Sequence, residues 1–163
     1  MNILYKKYLE GINVLQEEEF NKILEILPTD LLDQAFTNLK NDGTLYGYFD
    51  STSDIDDVAS DLVNLILQDI KYVYCEDFTI SEASMYISDV DSLEDLEEIK
   101  NRFPKITISN YNDLKEWIFE EEKENLREQE YIEKKKLLTF LGEHIDIETL
   151  RKLAKSFGKN DKA

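Results

Sequence analysis

Three arrangements in this sequence could do chemistry, and each is incomplete. Asp50-Ser-Thr-Ser-Asp54-Ile-Asp56-Asp57 has the acid spacing that opens a calcium loop. The sixth position of such a loop needs Gly for its sharp turn and is Ile55. The twelfth needs a bidentate Glu and is Asp61. The ordinary reading is a turn that leads into a capped helix. Cys75 and His144 are the sole Cys and His, so they form the one pair available for a thiol–imidazole dyad. Cys75 stands in the run Tyr72-Val-Tyr-Cys-Glu-Asp-Phe78, where a small buried thiol is usual, and no third group is signalled to orient a base. His144 is expected in the loop between the last two helices. The five glycines (Gly11, Gly43, Gly47, Gly142 and Gly158) are isolated, so no phosphate-cradling loop and no Gly-x-Ser-x-Gly elbow exists. One Cys excludes an internal disulfide, and one His excludes the common multi-Cys and multi-His zinc sites. The expectation is a non-enzymatic protein with no cofactor and no metal.

The chemistry that is abundant is carboxylate. The chain of 163 residues holds 36 Asp and Glu against 19 Lys and Arg, a formal charge of -17. Such a balance opposes direct grip on nucleic acid, which requires a net basic face. With 42% hydrophobic and 11% aromatic residues the chain is no disordered acidic tail. The charge is also unevenly placed. It is -5 over residues 1–50, -12 over 51–100, -2 over 101–122 and +2 over 123–163.

Within the acidic block, Asp54, Asp57 and Asp61, followed by the polar Asn64 and Gln68, step by three or four along one predicted helix. That interval places side chains about 5–6 Å apart on one face. Glu94, Asp95, Glu97 and Glu98 lie opposite Leu93, Leu96 and Ile99 on a second helix. Rows of this kind have a spacing broadly like that of successive phosphates in a nucleic-acid strand. They suit a groove lined with Lys and Arg. The competing reading is that acidic faces serve solubility alone.

These rows need elements to hold them. Residues 1–43 read as an αα-hairpin. Phe20, Ile23, Leu24, Ile26 and Leu27 lie on its first helix, which Pro28 stops, and Thr29 caps a second helix with Leu31, Leu32, Ala35, Phe36 and Leu39 inward. Over 44–110 the pattern alternates. Leu45-Tyr-Gly-Tyr-Phe49 reads as a strand. Ser53 with Asp56 caps a helix to about Ile70. Tyr72–Phe78 and Ser84–Ser88 read as strands, Ser92–Phe103 as a helix stopped by Pro104, and Lys105–Ser109 as a strand. The order β-α-β-β-α-β is that of a ferredoxin-like sheet. The expected class is α+β, with a small mixed or antiparallel sheet flanked by the N-terminal hairpin and C-terminal helices. An open α+β sheet with another strand order is the alternative.

Residues 111–163 read as a long helix with a polar middle, Glu120–Glu130, and then a helical pair. Glu124 with Arg127 and Glu130 with Lys134 have the spacing for intrahelical support. The apolar pattern returns at Ile132, Leu137, Leu138, Phe140 and Leu141, and Gly142 reads as a C-terminal stop. Asp146 caps a last helix with Leu150, Leu153, Ala154 and Phe157 inward, ended by Gly158 and a loose tail over 159–163. Arg151, Lys152, Lys155, Lys159 and Lys162 give that end a superficial helix-turn-helix look, for which packing or self-association is the readier use. Tyr46, Tyr48, Tyr72, Tyr74 and Tyr86 collect in the strand candidates, either as cover for a half-exposed sheet face or as an interface. No signal peptide and no apolar run of about 18 residues is read, so the expected location is cytoplasmic, with Cys75 a reduced thiol. Lys outnumbers Arg 16 to 3, a usage common in AT-rich genomes, including those of phages and mobile elements.

No family motif stands out. In size and composition the chain resembles the small acidic inhibitors of phages and mobile elements, among them anti-CRISPR and antirestriction proteins. The resemblance implies an inhibitor of the DNA-mimic type, bound to a larger protein with a basic surface, such as a nucleic-acid-binding nuclease. Direct nucleic-acid and membrane partners are not expected. The partner-binding residues would be Asp54, Asp57, Asp61, Glu94, Asp95, Glu97 and Glu98. The alternative is an adaptor or oligomerising protein that works through its terminal helices.

Overall fold

Aromatic and aliphatic residues spaced three and four apart set the helices of the N-terminal part. The computed structural model describes residues 1–11 and 13–157. Three helices open the chain: α1 (Ile3–Leu9), α2 (Glu17–Ile26) and α3 (Thr29–Asn41). The expected hairpin is thus preceded by a further helix. Tyr5 and Tyr8, one turn apart on α1, enter a cluster with Phe20 and Phe36 in which ring centroids lie 5.0–6.1 Å apart. The Tyr5 hydroxyl donates to the Leu15 carbonyl (3.2 Å), and the Leu15 N–H donates to the Tyr8 oxygen (2.8 Å), so both buried phenols are paired. Pro28, rather than Thr29, occupies the cap position of α3.

Residues 45–48 form a short helix, α4 (Leu45–Tyr48), where a strand was expected. Leu45 and Phe49 are its buried anchors. They stand four apart, and Gly47 midway, which a strand's period of two would turn inward with them, is exposed. Gly11 allows α4 to approach: a Cβ there would stand 2.4 Å from Leu45 Cγ.

The next helix, α5 (Ile55–Ile66), begins one residue later than its predicted cap. Asp54 accepts from the N–H groups of Asp56 (2.9 Å) and Asp57 (3.0 Å), and Asp57 reaches back to the Asp54 N–H at 3.4 Å. A 3-10 turn, Leu67–Asp69, follows. The predicted strands at 72–78, 84–88 and 105–109 are present, trimmed, as β1 (Tyr74–Thr79), β2 (Ser84–Ser88) and β3 (Thr107–Ile108). The predicted helix between the last two is α6 (Leu93–Arg102).

The protein is α+β with a small mixed sheet. Its order is β1-β2-β3, with β1 antiparallel and β3 parallel to β2. The strand expected at 45–49 would have made a fourth; as a helix it leaves three, so the β-α-β-β-α-β order of a ferredoxin-like sheet is not what the chain adopts. The register jumps between Cys75 and Asp77. This bulge turns both Cys75 and Phe78 into the core despite their odd spacing. One core joins Leu4 on α1 to Phe103 and Ile118, and the other sheet face carries Tyr74 and Tyr86 outward.

The described chain divides into two units, Met1–Ile118 and a second that starts at Phe119, inside α7 (Tyr111–His144). Helix α7 passes through Gly142 without ending there, and His144 lies in its last turn, not in a loop. The imidazole Nδ1 is 3.0 Å from the Phe140 carbonyl and its ring stacks on Phe140 at 4.2 Å. After two residues α8 (Ile147–Phe157) begins, with Asp146 capping through the N–H groups of Glu148 and Thr149 at 3.0 and 2.9 Å.

Helix α8 buries none of its residues: Leu153 and Phe157, expected inward, face solvent, and Leu150 is half-covered. Its spacing defines an apolar side, and nothing in the described chain covers it. Gly158 and residues 159–163, including Lys159 and Lys162, lie outside the described residues. Among the described residues no helix is long and apolar enough to cross a membrane.

Candidate partner-binding surface

The seven carboxylates predicted to meet a partner divide by what their oxygens already do. Asp54 and Asp57 form the reciprocal cap of α5, so part of their charge answers the orphan N–H groups and dipole of their own helix. Glu98 pairs with Arg102 at 2.6 Å, one turn on, and Arg102 also clasps both oxygens of Asp69 (2.7 and 2.6 Å) and donates to the Ile66 carbonyl at 3.2 Å. The guanidinium holds the Asp69 carboxyl below its ordinary value. Glu97 accepts from the Tyr111 hydroxyl.

Asp61, Glu94 and Asp95 remain. None of them is in an ion pair or a side-chain hydrogen bond among the described residues, although the Asp95 N–H is taken by the capping Ser92 at 3.1 Å.

Asp61 has the most informative surroundings. Partial burial, and then the charge of Asp57, raises its carboxyl above the ordinary value. Tyr48 is raised in turn, first by burial, then by Asp61 and then by Tyr74. The charge of Asp61 is thus felt at Tyr48, one of the tyrosines that the sequence placed in strands. Of the predicted tyrosine set, Tyr46, Tyr48, Tyr72, Tyr74 and Tyr86 are all exposed. Carboxylates beside phenol rings offer a cation both an ion pair and a π face.

The α5 row itself is shorter than predicted. Asn64 does not face solvent with Asp57 and Asp61. Its amide accepts from the Cys75 N–H (2.7 Å) and donates to the Cys75 carbonyl (3.3 Å). One turn before it Ser60 meets the Cys75 thiol, and Asp56 accepts from the Ile80 N–H at 2.8 Å. Positions 56, 60 and 64 therefore face β1, while 57 and 61 stand one position round. No hydrogen bond joins the α5 row to the α6 row among the described residues. The link between these helices runs through Arg102.

The other candidates are accounted for by structure. Burial pushes the Cys75 thiol up to about 11, the wrong direction for a nucleophile. Asp50 accepts from the N–H (2.8 Å) and hydroxyl (2.5 Å) of Thr52, a turn that lowers its carboxyl. Among the described residues no cluster of three or more His, Cys, Asp or Glu side chains is arranged to hold a metal ion. A depression of 270 Å³ lies between α3 and the end of α5. The cation on its wall is Arg102, whose donors are already taken by Asp69, Glu98 and Ile66.

Two features carried no clear sequence signal. The clamp of Tyr5 and Tyr8 on Leu15 joins α1 to the loop that follows it, and Asn110, a buried polar side chain, pairs with both backbone groups of Ile87 at 3.3 and 2.7 Å. Comparison with protein families, with curated proteins and with solved structures finds no match to this chain.

Proposed function

We propose that this chain is a non-enzymatic binding protein that sets the acidic surface of residues 51–100 against a basic, nucleic-acid-binding surface of a larger protein and so competes with the nucleic acid. This is the mode of the small acidic phage inhibitors, anti-CRISPR and antirestriction proteins, that the chain resembles in size and composition. The supporting observation is that Asp61, Glu94 and Asp95 lie in the acidic block with no cationic partner of their own among the described residues, and that the charge of Asp61 is felt at the exposed Tyr48. Tyrosine adds contact area at low entropy cost, and the carboxylates accelerate encounter.

The test is a pull-down from the native host at low and high salt, with the charge-reversal variant Asp61→Lys, Glu94→Lys, Asp95→Lys. Asp54 and Glu98 are spared because they cap and pair. The expected result is capture lost at high salt, and an on-rate to the captured partner reduced about tenfold or more by the reversal. An unchanged on-rate sinks the proposal.

A different observation favours the second reading, an adaptor or oligomerising protein. The apolar faces beyond Phe119 are uncovered, with Phe157 71% and Leu126 61% exposed. Leu137→Glu with Leu153→Glu should abolish any association that runs through these helices and leave the fold of 1–118 intact by circular dichroism.

A further inference from the structure

We propose that α7 pairs with a second copy of this chain, antiparallel, about a two-fold axis level with residue 132. The inference rests on the reading that the helices beyond Phe119 are an association surface, and it names their occupant. Phe119, Lys123, Leu126, Glu130, Lys134, Leu137, Leu141 and Ile145 follow a repeating step of four, three and four along α7 and its end. They repeat every eleven residues, as Phe119–Glu130–Leu141 and Lys123–Lys134–Ile145 show. Eleven residues span three turns at about 3.67 per turn, so the stripe keeps to one side of the helix for its whole length. Phe119, Leu126 and Leu137 on this stripe are exposed.

Six of the stripe's eight positions fall on one another in reverse. With the axis level with residue 132, each residue faces the one equally distant on the other side. Phe119 meets Ile145, Leu126 meets Leu138 on the flank, the Lys123 stem lies on Leu141, and Glu130 meets Lys134 twice, once on each side of the axis. Neither Glu130 nor Lys134 is in an ion pair within the described chain; the ion pair on this part of α7 is Glu120 with Lys123 at 3.0 Å. The wider charge agrees. Residues 119–131 hold six acids and two bases, whereas residues 133–145 hold two acids and three bases. A parallel pair would put Glu130 on Glu130 and Lys134 on Lys134, a like-charge contact that the antiparallel pair replaces with attraction.

Sedimentation of the full chain, with disulfide trapping, tests this. The wild type should run as a dimer. Glu130→Lys and Lys134→Glu should each weaken it about tenfold, and the double exchange should restore it, since only the pairing across the axis regains its sign. Chains carrying Leu126→Cys mixed with chains carrying Leu138→Cys should form the mixed disulfide. Neither should cross-link to itself, because self-pairs would stand about 18 Å apart along the axis. Cys75 is buried and stays out of the reaction.

A Leu126→Cys homodimer, or exchange variants that fail to restore the dimer, overturns the antiparallel pairing while leaving association through these helices standing. A monomeric wild type overturns the second copy as occupant. If Leu137→Glu with Leu153→Glu also leaves capture from the host unchanged, the reading beneath it falls too.

Discussion

Residues 1–118 and residues 119–157 employ the same kinds of helix in opposite ways. In the first unit Phe20, Phe36, Leu62 and Leu96 are sealed in one core, and four of the seven carboxylates predicted to meet a partner are occupied by the α5 cap, by Arg102 and by Tyr111. In the second, Leu126, Leu137, Leu138, Phe140 and Phe157 lie in solvent, and α8 buries nothing. Amphipathic spacing is equally clear in both. The lesson is that periodicity declares which side of a helix is apolar and leaves open whether the same chain supplies the cover. An isolated helix as short as α8 is marginal in water, so its own periodicity does little to hold it.

The sharpest way to break this comparison is to delete one ring from each unit. Phe36→Ala should cost about 3–5 kcal/mol of unfolding free energy, read by urea titration, whereas Phe157→Ala should stay within about 0.5 kcal/mol. Equal losses would show that α8 is packed after all.

The glycines make the next contrast. Gly11→Ala forces a Cβ against Leu45 and should cost about 1–3 kcal/mol as overpacking. Gly142→Ala meets open space within a helix and should stabilise that helix by about 0.5–1 kcal/mol, seen as added ellipticity at 222 nm. Arg102→Ala then probes whether the outer charges of the first unit matter to its fold. It removes two partly exposed ion pairs and a bond to the Ile66 carbonyl, for an expected loss of about 1 kcal/mol.

The smallest effect is in the pH profile, and its sign differs between two aspartates. Asp61 is raised when folded, so the folded chain binds its proton the more tightly. Ionised, it opposes folding, and that opposition fades as the pH falls through its raised folded value. Asp69 is lowered, so it stabilises above its unfolded value, and that contribution is lost as the pH falls through the lower folded one. Asp61→Asn should therefore raise stability at neutral pH by a few tenths of a kcal/mol at about 0.5 or less. Arg102→Ala should flatten the acid limb. Denaturation midpoints taken across the acid range separate the two.

Much of this was legible wherever a strong period met a clear stop. Phe20 to Leu27 before Pro28, Val58 to Ile66, the strands about Cys75 and Tyr86, and Leu93 to Phe103 all form as their patterns dictate. The segment Leu45–Phe49 was misread because its tyrosines have high strand propensity, while the deciding facts, an exposed Gly47 between two buried anchors and the close approach of Leu45 to Gly11, are tertiary. Gly142 was read as a stop because a glycine near a helix end commonly is one, yet the helix continues around it. In the site, the acidic composition was plain, but the division of labour was not. Asp54 and Asp57 look identical to Asp61 in a row counted by threes and fours; only the position of the first helical turn makes two of them caps and leaves the third free.

One small contact reaches beyond the fold that contains it. Strand β1 is the outer strand of its sheet, and the backbone of Cys75 on that rim is met by the side-chain amide of Asn64, which donates and accepts as a peptide group would. Asn110 does the same for Ile87, past the point where the two-residue β3 ends. A sheet of three strands normally leaves open hydrogen-bonding rims on which a foreign strand can seed growth. Here two asparagines stand in for the missing strands, and these places on the sheet are closed to an added one.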